Sequence, residues 1–249
     1  MKPCIPENTR IYAIGDIHGC SDLLETLLDQ ITADNLMRAD VQSIKLVFLG
    51  DYIDRGPDSA RVIDTLMHGL PGGYEAIFLK GNHEAMMLEA LEDSKAASFW
   101  MQNGGYETIA SYTFRKELRD SDPETDDPMP VFTQHLPPEH LDFLTSLQHS
   151  YQCGDYFFAH AGVHPDKPLD EQKDRDLMWI RDRFLFSEKD FGKIIVHGHT
   201  PVREVDTADN RIGIDTAAVY GGKLTALMLE GKQRKFLCAD AVKMGNPSL

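Results

Sequence analysis

Three times in succession the chain runs an apolar segment into glycine plus a polar residue, and then into an amphipathic stretch. The segments are RIYAIGD (10–16), SIKLVFLGD (43–51) and YEAIFLKGN (74–82). Short continuous apolar runs bounded by turn residues read as strands buried on both faces. After the first, Leu23, Leu24, Leu27, Leu28 and Ile31 recur at helical spacing. Asp22 and Glu25 are set there as a capping box. Pro57 to Leu70 supplies the helix after the second strand, and a helix starting near Glu84 follows the third. Three strand-then-helix units in a row predict an α/β fold, with a parallel sheet flanked by helices.

From about Ser94 to Ser150 the pattern turns helical and reads as an insertion. Within it RDSDPETDDPMP (119–130) is an acidic, Pro-rich loop, and Pro137 and Pro138 open a helix running through Leu147. The β pattern then returns at 155–162, 193–200, 203–207, 211–215, 224–230 and 234–240. The short link between REVDT and RIGID predicts a hairpin, and the last two segments predict antiparallel strands. The 249 residues fit a single domain carrying that insertion.

Composition removes several classes of function. With 25 Lys+Arg against 40 Asp+Glu, the net charge is −15, which disfavours sequence-independent nucleic-acid binding. A phosphorylated substrate remains compatible, because bound divalent cations reverse the field of a carboxylate-rich site. No segment approaches the ~20 apolar residues of a membrane helix. MKPCIPENTR at the start lacks the apolar core of a secretory signal. Cys4, Cys20, Cys153 and Cys238 lie far apart without a CxxC pair, as suits reduced thiols in a cytoplasmic protein.

Five polar clusters sit where apolar strands end. They are Gly15-Asp16-Ile17-His18-Gly19, Gly50-Asp51-Tyr52-Ile53-Asp54-Arg55-Gly56, Gly81-Asn82-His83-Glu84, His160-Ala161-Gly162 and His197-Gly198-His199-Thr200. In open α/β sheets the carboxyl ends of the strands form the ligand crevice, so the five clusters should converge. Any one of them alone reads as a turn, a helix cap or a satisfied core histidine; five together do not. Carboxylate, imidazole and amide donors without thiolate describe a site for Mn²⁺, Fe²⁺ or Zn²⁺. The donors exceed the needs of one ion and suit two, about 3.5–4 Å apart and bridged by a carboxylate. Glycines beside the donors let backbone and substrate approach closely.

In this order and spacing, GDIHG, GDYIDRG, GNHE, His-Ala-Gly and GHT resemble the phosphoprotein phosphatase family of calcineurin-like metallophosphoesterases. The likeness is greatest to the bacterial and phage, lambda-phosphatase-like branch, and it spans roughly residues 10 to 230. NGGYETIASY (103–112) and IDTAAVYGGKLTAL (214–227) share it. The resemblance implies a β-sandwich flanked by helices and a centre of two divalent ions, Mn²⁺ foremost. Asp16 and His18 would hold the first ion, Asp51 would bridge both, and Asn82, His160 and His199 would complete the second. Asp54 and His83 would form the proton-donating dyad, and Arg55 would grip the phosphate. Arg181 is favoured as the second phosphate ligand, with Arg183 as the alternative. His-Ala-Gly replaces the more usual His-Gly-Gly, and His197 stands where relatives carry an apolar or aromatic residue. The Gly-His-Thr-Pro match selects His199 over His197 as the ligand. His164 reads as a loop histidine, and His68, His135, His140 and His149 as structural.

The implied activity is phosphomonoester hydrolysis by in-line attack of a hydroxide bridging the ions, without a covalent intermediate. Serine/threonine phosphoproteins or peptides are the expected substrates. The alternative enzyme is a symmetrical dinucleoside polyphosphate hydrolase acting on diadenosine tetraphosphate. A non-catalytic phosphate- or metal-sensing module is the remaining reading, and the intact dyad argues against it, since a binding module needs no proton donor.

Overall fold

The computed structural model describes residues 2–39, 41–113 and 127–240. Two five-stranded mixed sheets stack face to face. In the first, β1 (Thr9–Ile14), β2 (Ser43–Phe48) and β3 (Glu75–Phe78) run parallel. The antiparallel pair β9 (Lys223–Glu230) and β10 (Gln233–Asp240) completes it beyond β1, as the tail pattern predicted. In the second, β5 (Tyr156–Ala159), β6 (Ile194–His197) and β8 (Arg211–Gly213) are parallel. Its edges are β4 (Ser150–Cys153) and the two-residue β7 (Asp206–Thr207), and β7 forms the predicted hairpin with β8.

The inner parallel strands are buried on both faces toward the site because each sheet is covered twice, while the outer β3 keeps Glu75 exposed. Ile11, Ala13, Val47, Leu49 and Leu227 meet Tyr156, Phe158, Val196, Ile212 and Ile214 between the sheets. Outside the first sheet, α1 (Ser21–Leu36), α2 (Ser59–His68) and α3 (Asn82–Ala90) pack on Tyr12, Ile14, Leu46 and Phe48. Outside the second, Phe157, Ala159 and Ile195 are covered by Leu177 and Phe184 of two short helices, α8 (Asp174–Trp179) and α9 (Asp182–Leu185). Each wholly buried Leu, Ile or Phe here is stabilised by about 1.5–3 kcal/mol relative to its exposed state.

Several local expectations are corrected. Helix α1 opens at Ser21 after Cys20, so Asp22 sits inside the first turn and makes no capping box. There its carboxylate complements the helix dipole. Helix α2 starts at Ser59 and not at Pro57, which leaves residues 51–58 as a loop around the site. Helix α3 begins at Asn82, two residues before Glu84.

The described part of the insertion holds α4 (Ser94–Trp100), a π-type turn (Met101–Gly105), α5 (Tyr106–Tyr112), α6 (Met129–His135) and α7 (Pro138–Thr145). Helix α7 thus stops short of Leu147. Of the acidic loop expected over 119–130, residues 119–126 lie outside the described residues. Trp100, Ile109, Phe132, Leu136 and Leu144 join the core on the first sheet. His140, bonded to Tyr112 and Asp64, clamps helices together, in keeping with a structural role.

Candidate active site

The parallel strands of each sheet end at a common edge, and all five sequence clusters lie there. Oδ2 of Asp51 is 3.3 Å from His160 Nε2, 3.5 Å from His18 Nε2 and 4.0 Å from His83 Nε2. Two groups of side chains with converging donor atoms share Asp51. One is His18, Asp51 and His83; the other is Asp51, His160 and His199. Asn82 Oδ1 lies 3.0 Å from His160 Nε2. Asp16 stands slightly apart from both groups. Its Oδ2 accepts from the His199 backbone N–H at 2.9 Å, and this bond spans the two sheets.

The backbone is strained where these residues sit. His18, Asp51, Asp54, Arg55 and His199 all have φ between 45° and 74°. L-residues enter this left-handed region at a cost of about 1–3 kcal/mol each, so surrounding bonds must hold them there. Glu84, wholly buried on α3, supplies several. Its carboxylate accepts backbone N–H bonds from Gly81 (2.9 Å), Asp51 (2.9 Å) and Tyr52 (2.7 Å), joining the loops after β2 and β3. The predicted close approaches occur at two glycines. A Cβ on Gly81 would lie 2.1 Å from Asp51 Oδ1, and one on Gly198 would lie 1.9 Å from Asp16 Oδ1.

The electrostatics describe an uncompensated donor set. Burial, and next the neighbouring carboxyl of Asp215, pushes Asp16 well above the usual carboxylate range. Burial alone would also raise Asp51, but the adjacent His160 and His83 hold it well below that range. Burial likewise opposes protonation of His160, yet Asp51 prevails and raises it to about 9. His18, with burial dominant, falls to about 3. Asp16 Oδ1 and His199 Nε2 are buried without a hydrogen-bond partner among the described residues. Nitrogen and oxygen donors, two of them unpaired, around a shared carboxylate fit divalent cations, which would offset this buried negative charge.

Beside the donors, His83 Nδ1 and Asp54 Oδ2 are 2.6 Å apart, and both side chains are buried. Burial raises Asp54 to about 8 and lowers His83 to about 4, since each loses solvation of its charged form. Asp54 also accepts from Trp100 Nε1 and Thr108 Oγ1. Arg55 Nη1 is 2.7 Å from His18 Nε2, so the guanidinium reaches the donor cluster. It also lines a cleft of about 380 Å³ with Met101, Asn103, Tyr106 and Tyr220.

The two downstream arginines part company. Arg183 pairs with Asp166 at 2.7 Å on the surface. Arg181 lies near enough to His83 and His199 for its charge to lower both. The His197 ring packs edge-on against Phe184 at 5.1 Å, and the ring of His199 faces His160 at 5.0 Å. His164 is occupied in a local turn, where its Nδ1 accepts from the Asp166 N–H.

Sequence reasoning missed Glu84, Trp100, Thr108 and Asp215 as site residues. Glu84 had a signal, since it stands three residues after Gly81 at a helix start, where a carboxylate reaches back to backbone N–H groups. The approach of Asp215 to Asp16 follows β8, whose predicted segment 211–215 already ended in it. Trp100 carried no local signal, and Thr108, though inside the family-like segment 103–112, carried none for this contact, which depends on how the insertion folds back.

Comparison with known proteins agrees with this geometry. The family model for calcineurin-like phosphoesterase matches residues 9–227. Serine/threonine-protein phosphatase 1 of Salmonella typhimurium is 29% identical over 228 residues, covering 88% of this chain and 92% of that protein. The asymmetrical bis(5'-nucleosyl)-tetraphosphatase of Anoxybacillus flavithermus is 31% identical over 232 residues, covering 86% and 88%. Among solved structures, a candidate diadenosine tetraphosphatase superposes with a TM-score of 0.61 at 24% identity, covering 92% and 93% of the two chains, and supports the fold. The family model matches the chain over most of its length, across both stacked sheets and their strand-end clusters, and places this hydrolase in the calcineurin-like phosphoesterase family.

Proposed function

We propose that the protein is a serine/threonine phosphoprotein phosphatase with a centre of two divalent ions, Mn²⁺ foremost. Asp16 and His18 would hold one ion, Asn82, His160 and His199 the other, and Asp51 both. Bound there, the ions supply charge neutralisation for the phosphoryl group and a more acidic water. Arg55 and Arg181 hold phosphoryl oxygens by charge-assisted bonds. Hydroxide, formed when the water releases a proton to solvent, would attack phosphorus in line; the bond from phosphorus to the serine oxygen breaks, His83 gives a proton to that oxygen, and solvent then reprotonates His83. The reading places the protein in the cytoplasm, which suits its four free thiols.

The observation that carries the choice of substrate is the Asp54–His83 contact at 2.6 Å beside Arg55. A serine alkoxide is strongly basic and needs a proton as it leaves; a nucleoside phosphate leaves well without one. The second reading, dinucleoside tetraphosphate hydrolysis, draws on the 31% identical tetraphosphatase and on the tyrosine-lined cleft beside Arg55. The test compares kcat/KM on a phosphoserine peptide and on diadenosine tetraphosphate with one Mn²⁺-loaded preparation. A preference for the peptide is expected. A tenfold preference for the dinucleotide, about 1.4 kcal/mol in transition-state stabilisation, overturns the assignment.

A further inference from the structure

The helical insertion does more than cover the first sheet. Four hydrogen bonds run from its segment 100–108 to the dipeptide Asp54-Arg55. Trp100 Nε1 donates to Asp54 Oδ2 at 2.8 Å, and Thr108 Oγ1 donates to Asp54 Oδ1 at 2.6 Å. The Asp54 N–H donates to Thr108 Oγ1 at 2.9 Å, and the Arg55 N–H donates to the Gly104 carbonyl at 3.1 Å. Asp54 and Arg55 are consecutive left-handed residues with φ of 74° and 67°. Such a pair holds its shape only where outside bonds determine it. The Gly104 carbonyl lies at the kink between α4 and α5, where Gly104 has a φ of 108°.

The donor inventory fixes the direction of each bond. An indole N–H only donates, so the Trp100 contact requires an acceptor at Oδ2. Thr108 Oγ1 accepts from the Asp54 N–H and gives its one hydrogen to Oδ1, so the Ser59 hydroxyl 3.0 Å away meets it as a donor. Both carboxylate oxygens are therefore engaged as acceptors, and the carboxylate plane cannot rotate. His83 Nδ1 then meets Oδ2 as a donor, and its Nε2 faces the Asp51 side of the site. Trp100 is itself immobile, being fully buried and packed against Phe132 with ring centroids 5.4 Å apart.

We propose that Trp100 and Thr108 are positioning residues that hold the Asp54 carboxylate in the one orientation that aims His83 at the leaving oxygen. The insertion is on this account an integral part of the catalytic apparatus. The inference rests on the proton-donor role given to His83 in the proposed function. Neither residue touches the donor cluster around Asp51, so binding of substrate and ions should be nearly independent of them.

The experiment uses Trp100→Phe, which keeps an aromatic ring and removes the donor, with Thr108→Val and Thr108→Ser as a second pair. Each is assayed with Mn²⁺ on a phosphoserine peptide, whose leaving group needs a proton, and on p-nitrophenyl phosphate, whose leaving group does not. Loss of one hydrogen bond to a carboxylate is worth about tenfold in rate. Trp100→Phe and Thr108→Val should each lower kcat on the peptide about tenfold, with KM within about twofold and p-nitrophenyl phosphate little affected. Thr108→Ser should restore the peptide rate. In an Asp54→Asn background, Trp100→Phe should cost nothing further. Equal losses on both substrates, or additive losses in the double variant, overturn the positioning role. A wild-type enzyme inactive on both monoesters would overturn the proposed function instead, so the two failures are distinct.

Discussion

His83 is tied at Nδ1 to Asp54 while its Nε2 lies 4.0 Å from Asp51, so one face of the ring is anchored and the other looks into the site. Replacing it by asparagine removes the proposed proton donor but keeps a polar group at the helix start. His83→Asn should slow a phosphoserine peptide by about 10²–10⁴-fold and p-nitrophenyl phosphate far less. Equal slowing, measured as kcat/KM on the two substrates, assigns the residue to binding. Glu84 acts on a different quantity. Its carboxylate accepts from the backbone of Gly81, Asp51 and Tyr52, and all three bonds are buried. Glu84→Ala should therefore destabilise the fold by several kcal/mol, at about 1–3 kcal/mol for each orphaned donor, as read from urea unfolding. A loss under 1 kcal/mol would show that the loops are held otherwise. The sequence had already singled out the strand-end clusters that hold Asp16, His18, Asp51, Asn82, His160 and His199, and the fold brings those clusters to one edge. Thr108 escaped because a buried hydroxyl that serves a backbone N–H looks, in one dimension, like any helical polar residue, whereas Glu84 was readable from its place three residues after Gly81 at a helix start.

At the scale of elements, α1 is fastened to the sheet at its far end by polar contacts. Asp34, 4% exposed, accepts from Tyr12 on β1, Arg38 after the helix and Lys235 on β10. Burial alone would raise this carboxyl, but the bonds from Arg38, Lys235 and Tyr12 outweigh it and hold it well below the ordinary carboxylate value of 3.8. A depressed folded value means that the contribution to stability is complete above about pH 4 and is lost as pH falls toward the folded value. Asp34→Asn should then cost about 2 kcal/mol in urea unfolding at pH 7 and much less at pH 2. An equal cost at both values would mean that packing, and not the charge, is what the substitution removes. The apolar spacing of α1 and the Gly-Asp ends of β1 and β2 made these elements legible, since both follow from burial on the sheet. Boundaries were less so. Helix α3 opens at Asn82 because Glu84 reaches back to Gly81, and Cys20 precedes α1 without any side-chain cap. The first start is set by a local bond and the second by no side-chain cap at all, and apolar periodicity records neither.

The whole molecule is two sheets whose parallel strands end at one edge, and the proposed ligands are divided between them. Asp16, Asp51 and Asn82 follow strands of the first sheet; His160 and His199 follow strands of the second. The ion proposed at Asn82, His160 and His199 would cross-link the sandwich, and the one proposed at Asp16 and His18 would relieve the burial of Asp16 beside Asp215 and Asp51. Because ions bind the folded chain and not the unfolded one, they must stabilise it by mass action. At a free Mn²⁺ concentration of about 100 times Kd the gain is about 2.7 kcal/mol for one site. For a chain of this size each kcal/mol shifts Tm by about 2–4 °C, which predicts a rise of roughly 5–11 °C over the chelated protein. Asp51→Asn weakens the one side chain that serves both groups, so its chelated form should melt near the wild type yet gain little from Mn²⁺. It should also be the least active of the ligand variants. Calorimetry with and without chelator reads the first effect, and hydrolysis of p-nitrophenyl phosphate the second. An undiminished Tm rise in Asp51→Asn would put the ion outside this edge, and full activity of the chelated wild type would remove the metal from the proposed chemistry altogether.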